Sequence, residues 1–465
     1  TRVRSSAASD VYKRQVQEGK SRAMSRFAIT NTQLPYFRTL HSLCFFQLGL
    51  SKDSVFSASD FRDLNDKLNL RLTGSINSEE GHVSGISKDD RLLFIENLAR
   101  MRQVSLESQW HDSDDAVGWF ELERFSRGLE LFKKDRMLID YTDMLNIFLT
   151  RGRAPRLDVM FVDEAQDLSP LQWAVVRKLC ESADRIYIAG DDDQAIYRWA
   201  GADVDYLIRN SKNAMVLKQS YRIPKSIHTL AERCIGQVGA RVHKTWNPRK
   251  EEGHVSWEPS YESIDMESGE WLVLARTNYL LNGIEEHCRS EGWFYKNKNR
   301  ASVSEKKIMA VRSWENFRKG GLIPVIELTK VLNYLKVRVP SSLEMIDFDS
   351  NVSFEQAKKY VPTLENEYWY DAFVGIPVSE RSYIRAMLRR GEKITKEPRI
   401  KLSTIHAAKG GEAENVILLT DISNRIYKSF QSNPDDESRV FYVGLTRAKE
   451  NLFLIEPQTQ KYFPL

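Results

Sequence analysis

Short apolar runs that end abruptly in polar residues alternate along this chain with stretches whose apolar positions recur every three or four residues. Residues 158–162, Asp-Val-Met-Phe-Val, are β-prone and stop at two adjacent carboxylates, Asp163 and Glu164. Residues 185–189 make a second such run and lead into Gly190-Asp191-Asp192-Asp193-Gln194. Between them, Ser169-Pro170-Leu171-Gln172 starts a helix with proline at its first position. Two strands split by a helix, with polar loops at the same end, predict a parallel sheet whose carboxyl edge carries the chemistry. The pattern returns at 271–278, where the polar end is included, and at 400–405, 416–420 and 451–456, with a helix predicted over 437–448. Residues 216–217 predict one more strand end, ahead of Ser220-Tyr221-Arg222-Ile223-Pro224.

Two long segments interrupt this alternation. Over 55–136 the pattern is helical, with Leu122, Phe125, Leu129 and Phe132 on one face. Over 293–396 it is again mostly helical and includes the capping box Ser353-Phe354-Glu355-Gln356. Both read as insertions. Residues 249–270 are polar and aperiodic, a linker or surface loop. Residues 1–15 have the same character and read as a disordered or foreign leader. Gly19-Lys20-Ser21 imitates the end of a phosphate-binding loop. However, no apolar strand precedes it, and the residue five before Gly19 is Arg14, so it reads as a decoy.

At 465 residues the chain has room for several cores. Its net charge of +4, from 68 basic and 64 acidic residues, is too mild to demand a polyanionic partner. No apolar run approaches the length of a membrane span, and no apolar signal core stands at the start. Cys44, Cys180, Cys234 and Cys288 lack paired spacing and read as reduced thiols of a cytoplasmic protein.

The acid pair carries the first chemical reading. Asp163 suits a Mg²⁺ ligand, direct or through water, and Glu164 a base that orients attacking water. A lone Asp-Glu pair is more often a solvated turn; the second strand with its acidic loop favours a nucleotide site. Tyr197, Arg198 and Trp199 follow that loop, and Trp199 reads either as a base-stacking platform or as packing between domains. Thr39 and His41 suit phosphate-backbone contacts or a helix cap.

Taken together these stretches resemble the superfamily 1 DNA helicases of the UvrD/Rep type. Five motifs carry the resemblance: Thr-Leu-His-Ser at 39–42, Val-Asp-Glu-Ala-Gln-Asp at 162–167, Gly-Asp-Asp-Asp-Gln-Ala-Ile-Tyr-Arg-Trp-Ala-Gly-Ala at 190–202, Thr-Ile-His-Ala-Ala-Lys-Gly-Gly-Glu at 404–412 and Phe-Tyr-Val-Gly-Leu-Thr-Arg-Ala at 441–448. The resemblance implies an α/β fold of two RecA-like parallel-sheet domains, each with a mainly helical insertion, and with the first domain incomplete. The implied limits are 1–23 for the leader, 24–54 and 137–215 for the first domain, and 55–136 for its insertion. The second domain takes 216–292 and 397–465, with 293–396 inserted. ATP and Mg²⁺ are the implied cofactors and single-stranded or partly duplex DNA the partner, for a monomer in the cytoplasm of a bacterial or phage-infected cell.

The resemblance also assigns roles. Asp163 resembles the Mg²⁺ ligand, Glu164 the base, Gln194 the γ-phosphate sensor, and Arg222 and Arg447 the arginine fingers. Tyr221 resembles the adenine-stacking residue and Glu412 the ribose or transferred-phosphate contact. Trp199 is similar to the base platform, with Thr39, His41, Thr404 and His406 near the DNA backbone. The family's opening strand, glycine-rich loop and adenine-binding glutamine are not visible in this sequence. A truncated parent helicase with impaired ATP turnover is therefore expected, and a non-catalytic single-strand-binding module is the alternative.

Overall fold

The computed structural model describes residues 7–73, 87–113, 117–298, 300–344, 347, 349–392 and 397–465. Its strands are β1 Leu157–Val162, β2 Ala183–Ile188, β3 His254–Glu258, β4 Trp271–Ala275, β5 Tyr295–Asn297, β6 Arg300–Ala301, β7 Ile323–Pro324, β8 Asn351–Val352, β9 Ile400–Thr404, β10 Ala413–Leu419 and β11 Ala448–Ile455. β1 and β2 pair in parallel, with Val159 opposite Arg185 and Val162 opposite Ile188. A seven-stranded sheet runs in the order β3-β11-β10-β4-β9-β5-β6. It is parallel throughout except for the β5–β6 hairpin.

The large sheet is buried on both faces, which is why its central strands read as unbroken apolar runs. Every residue of β4 is buried. Val273, Ala275, Ile417 and Leu419 face one core, built with Trp293, Trp314 and the helices of the second predicted insertion. Leu272, Leu274, Val416 and Leu418 face the other, with Ile227, Phe441 and Val443. In the two-stranded sheet Met160 of β1 packs with Leu145, Phe148, Trp173 and Val176, while β2 is exposed over 184–188. On the face opposite Met160, Phe161 is 75% exposed and its ring stacks on Tyr187 at 5.0 Å. The predicted stripe Leu122, Phe125, Leu129, Phe132 forms the buried face of helix Trp119–Asp135, against Leu64, Leu92 and Ile95.

Four expectations are corrected. The chain is helical over Ala7–Phe27, where an aperiodic leader was expected. Its Ala, Arg, Lys, Gln and Glu content favours helix by propensity without any amphipathic stripe. The supposed loop 249–270 contains β3, an edge strand on β11 with no apolar alternation to betray it. Residues 216–217 form no strand: Leu217 is 81% exposed, and the chain makes only an isolated bridge at Gln219 and Asn247. The second helical segment opens with the β5–β6 hairpin. Gly19-Lys20-Ser21 lies inside the first helix, where its amides serve helical bonds and cannot form a phosphate cradle. Among the described residues, no helix is long and apolar enough to cross a membrane.

Trp314 is fully buried and its indole N–H donates to the Glu367 carbonyl at 3.0 Å. Trp314→Ala should cost about 3–5 kcal/mol of stability, read by denaturant unfolding.

Candidate active site

β1 delivers Asp163 and Glu164 at its carboxyl end. Glu164 sits in the left-handed region, φ 53°, an uncommon conformation for a side chain of its size. Its amide donates to Asp163 Oδ1 at 2.9 Å, and Gln166 Nε2 donates to its carboxylate at 2.6 Å. Gln166 Oε1 accepts from the Asp191 amide at 3.0 Å, so one side chain ties the loops after β1 and β2 together.

Three consecutive aspartates follow β2, and burying them requires cations. Lys244 meets that need: its Nζ lies 2.8 Å from Asp191 and 3.0 Å from Asp193 and also bonds Asp192. Arg241 holds Asp193 with two bonds, at 2.9 and 2.6 Å. Arg439 is fully buried and donates through Nε to the Asp192 carbonyl at 3.0 Å. Burial alone would raise the Asp191 pKa, but Lys244 and the amide of Gln194 outweigh it and hold that carboxyl below its ordinary value. Asp193 goes the other way: burial outweighs its arginine, and its pKa is raised.

A second bridge joins the sheets. Lys409, in the loop after β9, donates to both oxygens of Asp167 at 2.8 and 2.6 Å and to the Gln194 carbonyl at 2.7 Å. It also lies 3.9 Å from Glu164. Tyr197 packs under this lysine, its ring centre 5.1 Å from Nζ, and its hydroxyl donates to the His406 carbonyl at 3.2 Å.

The arginines complete the site. Arg447, just past helix Pro434–Leu445, is 1% exposed. Its Nη2 reaches Gln194 Oε1 at 3.3 Å, while Nε donates to the Val443 carbonyl at 2.8 Å. Gln194 Nε2 is held in turn by Asp191 Oδ2 at 2.6 Å. Burial, and then the neighbouring charge of Arg222, push the Arg447 pKa down, with Glu164 and Glu412 pulling the other way. Arg222 lies 3.6 Å from Glu412, and its Nε is buried without a partner. Two guanidiniums this close, facing a strand-end glutamate, fit a polyphosphate. A single carboxylate at Asp163 fits a Mg²⁺ that takes its remaining ligands from phosphate and water. Among the described residues, no group of three metal-ligating side chains is present.

Glu164, Gln194, Arg222, Glu412 and Arg447 thus come together where the loops after β1 and β2 meet the polypeptide of the larger sheet, with Asp163 beside Glu164. Tyr221, the residue before Arg222, is 89% exposed. The residues assigned to DNA are placed less uniformly. Trp199 is half-buried and stacks on Phe94, with centroids 6.3 Å apart and planes 18° from parallel. Thr404 and His406 are each 1% exposed, at the seam between the sheets. Thr39 caps helix Leu40–Gln47, accepting from the Ser42 amide at 3.2 Å. His41 meets Tyr141 edge-on at 5.7 Å. Sequence reading assigned no role to Gln166, Asp167, Arg241, Lys244, Lys409 or Arg439. Three adjacent acids in a foldable segment did signal that buried cations must exist, though not which ones.

A short parallel sheet with acids at its carboxyl edge, facing arginines from a second and larger parallel sheet, defines a two-lobed RecA-like protein. Residues 6–215 match the UvrD/REP helicase N-terminal domain, and residues 378–459 the UvrD-like helicase C-terminal domain. A probable DNA helicase II homolog of Rickettsia conorii is 22% identical over 90% of this chain and 82% of its own length. The ATP-dependent DNA helicase PcrA of Leuconostoc citreum is 22% identical over 64% of this chain and 54% of its own. The ATP-dependent DNA helicase UvrD2 of Mycobacterium bovis is 26% identical over 63% and 46% respectively. The chain belongs to the UvrD-type helicases of superfamily 1.

Burial lowers the His41 pKa to about 4 from the ordinary 6.5, against the pull of Asp140. The folded value lies below the unfolded one. The stability it represents is therefore full above pH 6.5 and lost as the pH falls towards 4. His41→Gln should lose less stability than the parent between pH 7 and pH 5, by at most about 2 kcal/mol, in thermal or denaturant unfolding.

Proposed function

We propose that the protein couples ATP hydrolysis to 3′-to-5′ movement on single-stranded DNA, as a helicase or translocase of its family. Residues 24–54 with 137–215, and 216–292 with 397–465, are taken as its two motor lobes. The observation that carries this reading is the meeting of Glu164, Gln194, Arg222 and Arg447 in the gap between two parallel sheets. Glu164 orients and deprotonates the attacking water, Asp163 holds Mg²⁺, and Gln194 senses the terminal phosphate. Arg222 and Arg447 balance the charge on the phosphates. Tyr221 offers its free ring to adenine, and Glu412 engages the ribose or the phosphate network. ATP and Mg²⁺, when bound, supply the phosphoryl group and the charge that lets it leave.

Turnover by this polypeptide is expected to be weak. Its Gly19-Lys20-Ser21 is locked in a helix, so the amide cradle for the β- and γ-phosphates is not built from that run. The same observation favours a second reading, a single-strand-binding module without turnover, in which Trp199 and the backbone-contacting hydroxyls carry the function.

The two readings separate on DNA-stimulated ATP hydrolysis. Stimulated turnover that Glu164→Gln abolishes supports the motor; salt-sensitive strand binding with no turnover supports the module. Where turnover is measurable, Arg447→Ala should suppress it while largely sparing DNA affinity; an equal loss of both argues against a phosphate-facing role. Trp199→Ala should weaken single-strand binding by about 1–3 kcal/mol in an equilibrium titration. Unchanged affinity with a lowered melting temperature would make Trp199 a packing residue.

A further inference from the structure

Helix Leu40–Gln47 starts at the Thr39 cap and ends at a cleft of about 520 Å³, lined by Gln47, Leu48, Leu50, Ile147, Arg151 and Arg153. Helix Tyr141–Arg151 ends at the same place. Eight helical residues put the cleft about 12 Å along the axis from Thr39. Gly49, at φ +62°, closes the first helix in a left-handed turn, and the Leu50 amide donates back to the Phe45 carbonyl at 3.2 Å. Gly152 presses the chain against the second helix. A Cβ there would collide with the Phe148 ring and stand 2.7 Å from the Phe148 carbonyl oxygen. The arginines on either side of this glycine form the rim of the cleft.

Arginines beside a helix C-terminus ordinarily bond its last carbonyls. Here those carbonyls are already taken. Lys178 Nζ donates to the carbonyls of Phe148 and Leu149 at 2.9 and 2.7 Å. Thr150 Oγ1 donates to those of Asn146 and Ile147, each at 3.2 Å. Arg151 and Arg153 are exposed, and neither side chain has an ion pair or hydrogen bond with any described residue. The same is true of Arg156, just beyond the rim, and of the Gln47 amide.

Charge and lining together select a ligand. Unpaired guanidiniums match carboxylates in a two-bonded fork. Leu48, Leu50 and Ile147 are half-buried and present an aliphatic floor. No aromatic ring lines the cleft, so a nucleobase has nothing to stack on, whereas an aliphatic side chain finds its like. The free Gln47 amide offers both a donor and an acceptor, the complement of a peptide bond.

We propose that this cleft docks a short acidic peptide segment of a partner protein. An aliphatic side chain of the segment sits on Leu48, Leu50 and Ile147, and the carboxylates beside it are held by Arg151 and Arg153. The proposal does not depend on whether the chain hydrolyses ATP, and its residues are separate from those assigned to nucleotide or strand.

The test is fluorescence anisotropy on the full chain with a labelled hexapeptide of two central leucines flanked by four aspartates. Saturable binding is expected, and Arg151→Gln combined with Arg153→Gln should weaken it about tenfold. Both arginines are exposed, so the melting temperature should stay at the parental value. On the parent chain, replacing the two leucines of the peptide by serines should also weaken binding about tenfold. No saturation at millimolar peptide overturns the proposal, as does parental affinity in the double variant. Equal affinity for the serine peptide reduces the cleft to an anion site and overturns it too. Labelled oligothymidylate should bind parent and double variant alike; a matching tenfold loss would give the arginines to nucleic acid instead. Sedimentation of the chain alone covers the remaining occupant: a dimer that the double variant loses would make it a second copy and refute the peptide.

Discussion

The relation between the two sheets depends on buried charge. Asp167 with Lys409, and the aspartates 191–193 with Lys244 and Arg241, take acids from the loops after β1 and β2 and cations from the polypeptide of the larger sheet. The Lys409 and Asp167 side chains are each 3% exposed, so separating them without hydration strands two charges at low dielectric. Such pairs contribute little net stability compared with apolar packing, but they are exacting about geometry. They fix which residues face each other across the gap.

That geometry has a direct consequence for the reacting groups. Lys244 holds Asp191, Asp191 holds the Gln194 amide, and the Gln194 oxygen meets Arg447. The orientation of a glutamine amide is thereby set by a lysine with no contact of its own to the gap. The charges of Arg447 and Arg222 oppose each other, and Glu164, Glu412 and the carbonyls of Val443 and Gly411 offset that opposition.

How much of this could be read beforehand follows from which signals are local. The strand ends at Asp163, Gly190 and Ala275 are local signals: a run of β-prone apolar residues that stops at polar ones marks a strand and its loop, whether the strand is buried, as β4 is, or exposed, as β2 is. The stripe of Leu122, Phe125, Leu129 and Phe132 is local too, since a helix face repeats within one turn. Strand β3 is not local, because His254-Val255-Ser256-Trp257-Glu258 owes its conformation to hydrogen bonds offered by β11, almost two hundred residues away in sequence. Nor are Lys244 and Lys409, which look like any surface lysine until the fold places acids around them. Thr404 and His406 show the converse. Their wording suits backbone contacts, whereas burial at the seam binds them into the protein first.

The segment from Asp191 to Ala202 is short enough to make Gln194 and Trp199 mechanically dependent. Gln194 closes one 3₁₀ turn, Asp192–Gln194, and Trp199 lies in the next, Arg198–Ala200, with buried Ala195, Ile196 and Tyr197 between them. A buried run of three residues transmits displacement, because close packing gives it nowhere else to go. Tyr197 is also pinned to the His406 carbonyl and lies under Lys409, so the run is fastened to the larger sheet at its midpoint. On the proposed reading, any rearrangement that pulls Gln194 toward or away from Arg447 must also move the indole relative to Phe94. The stretch of chain that senses the phosphate is then the one that grips the strand, with no further element needed between them.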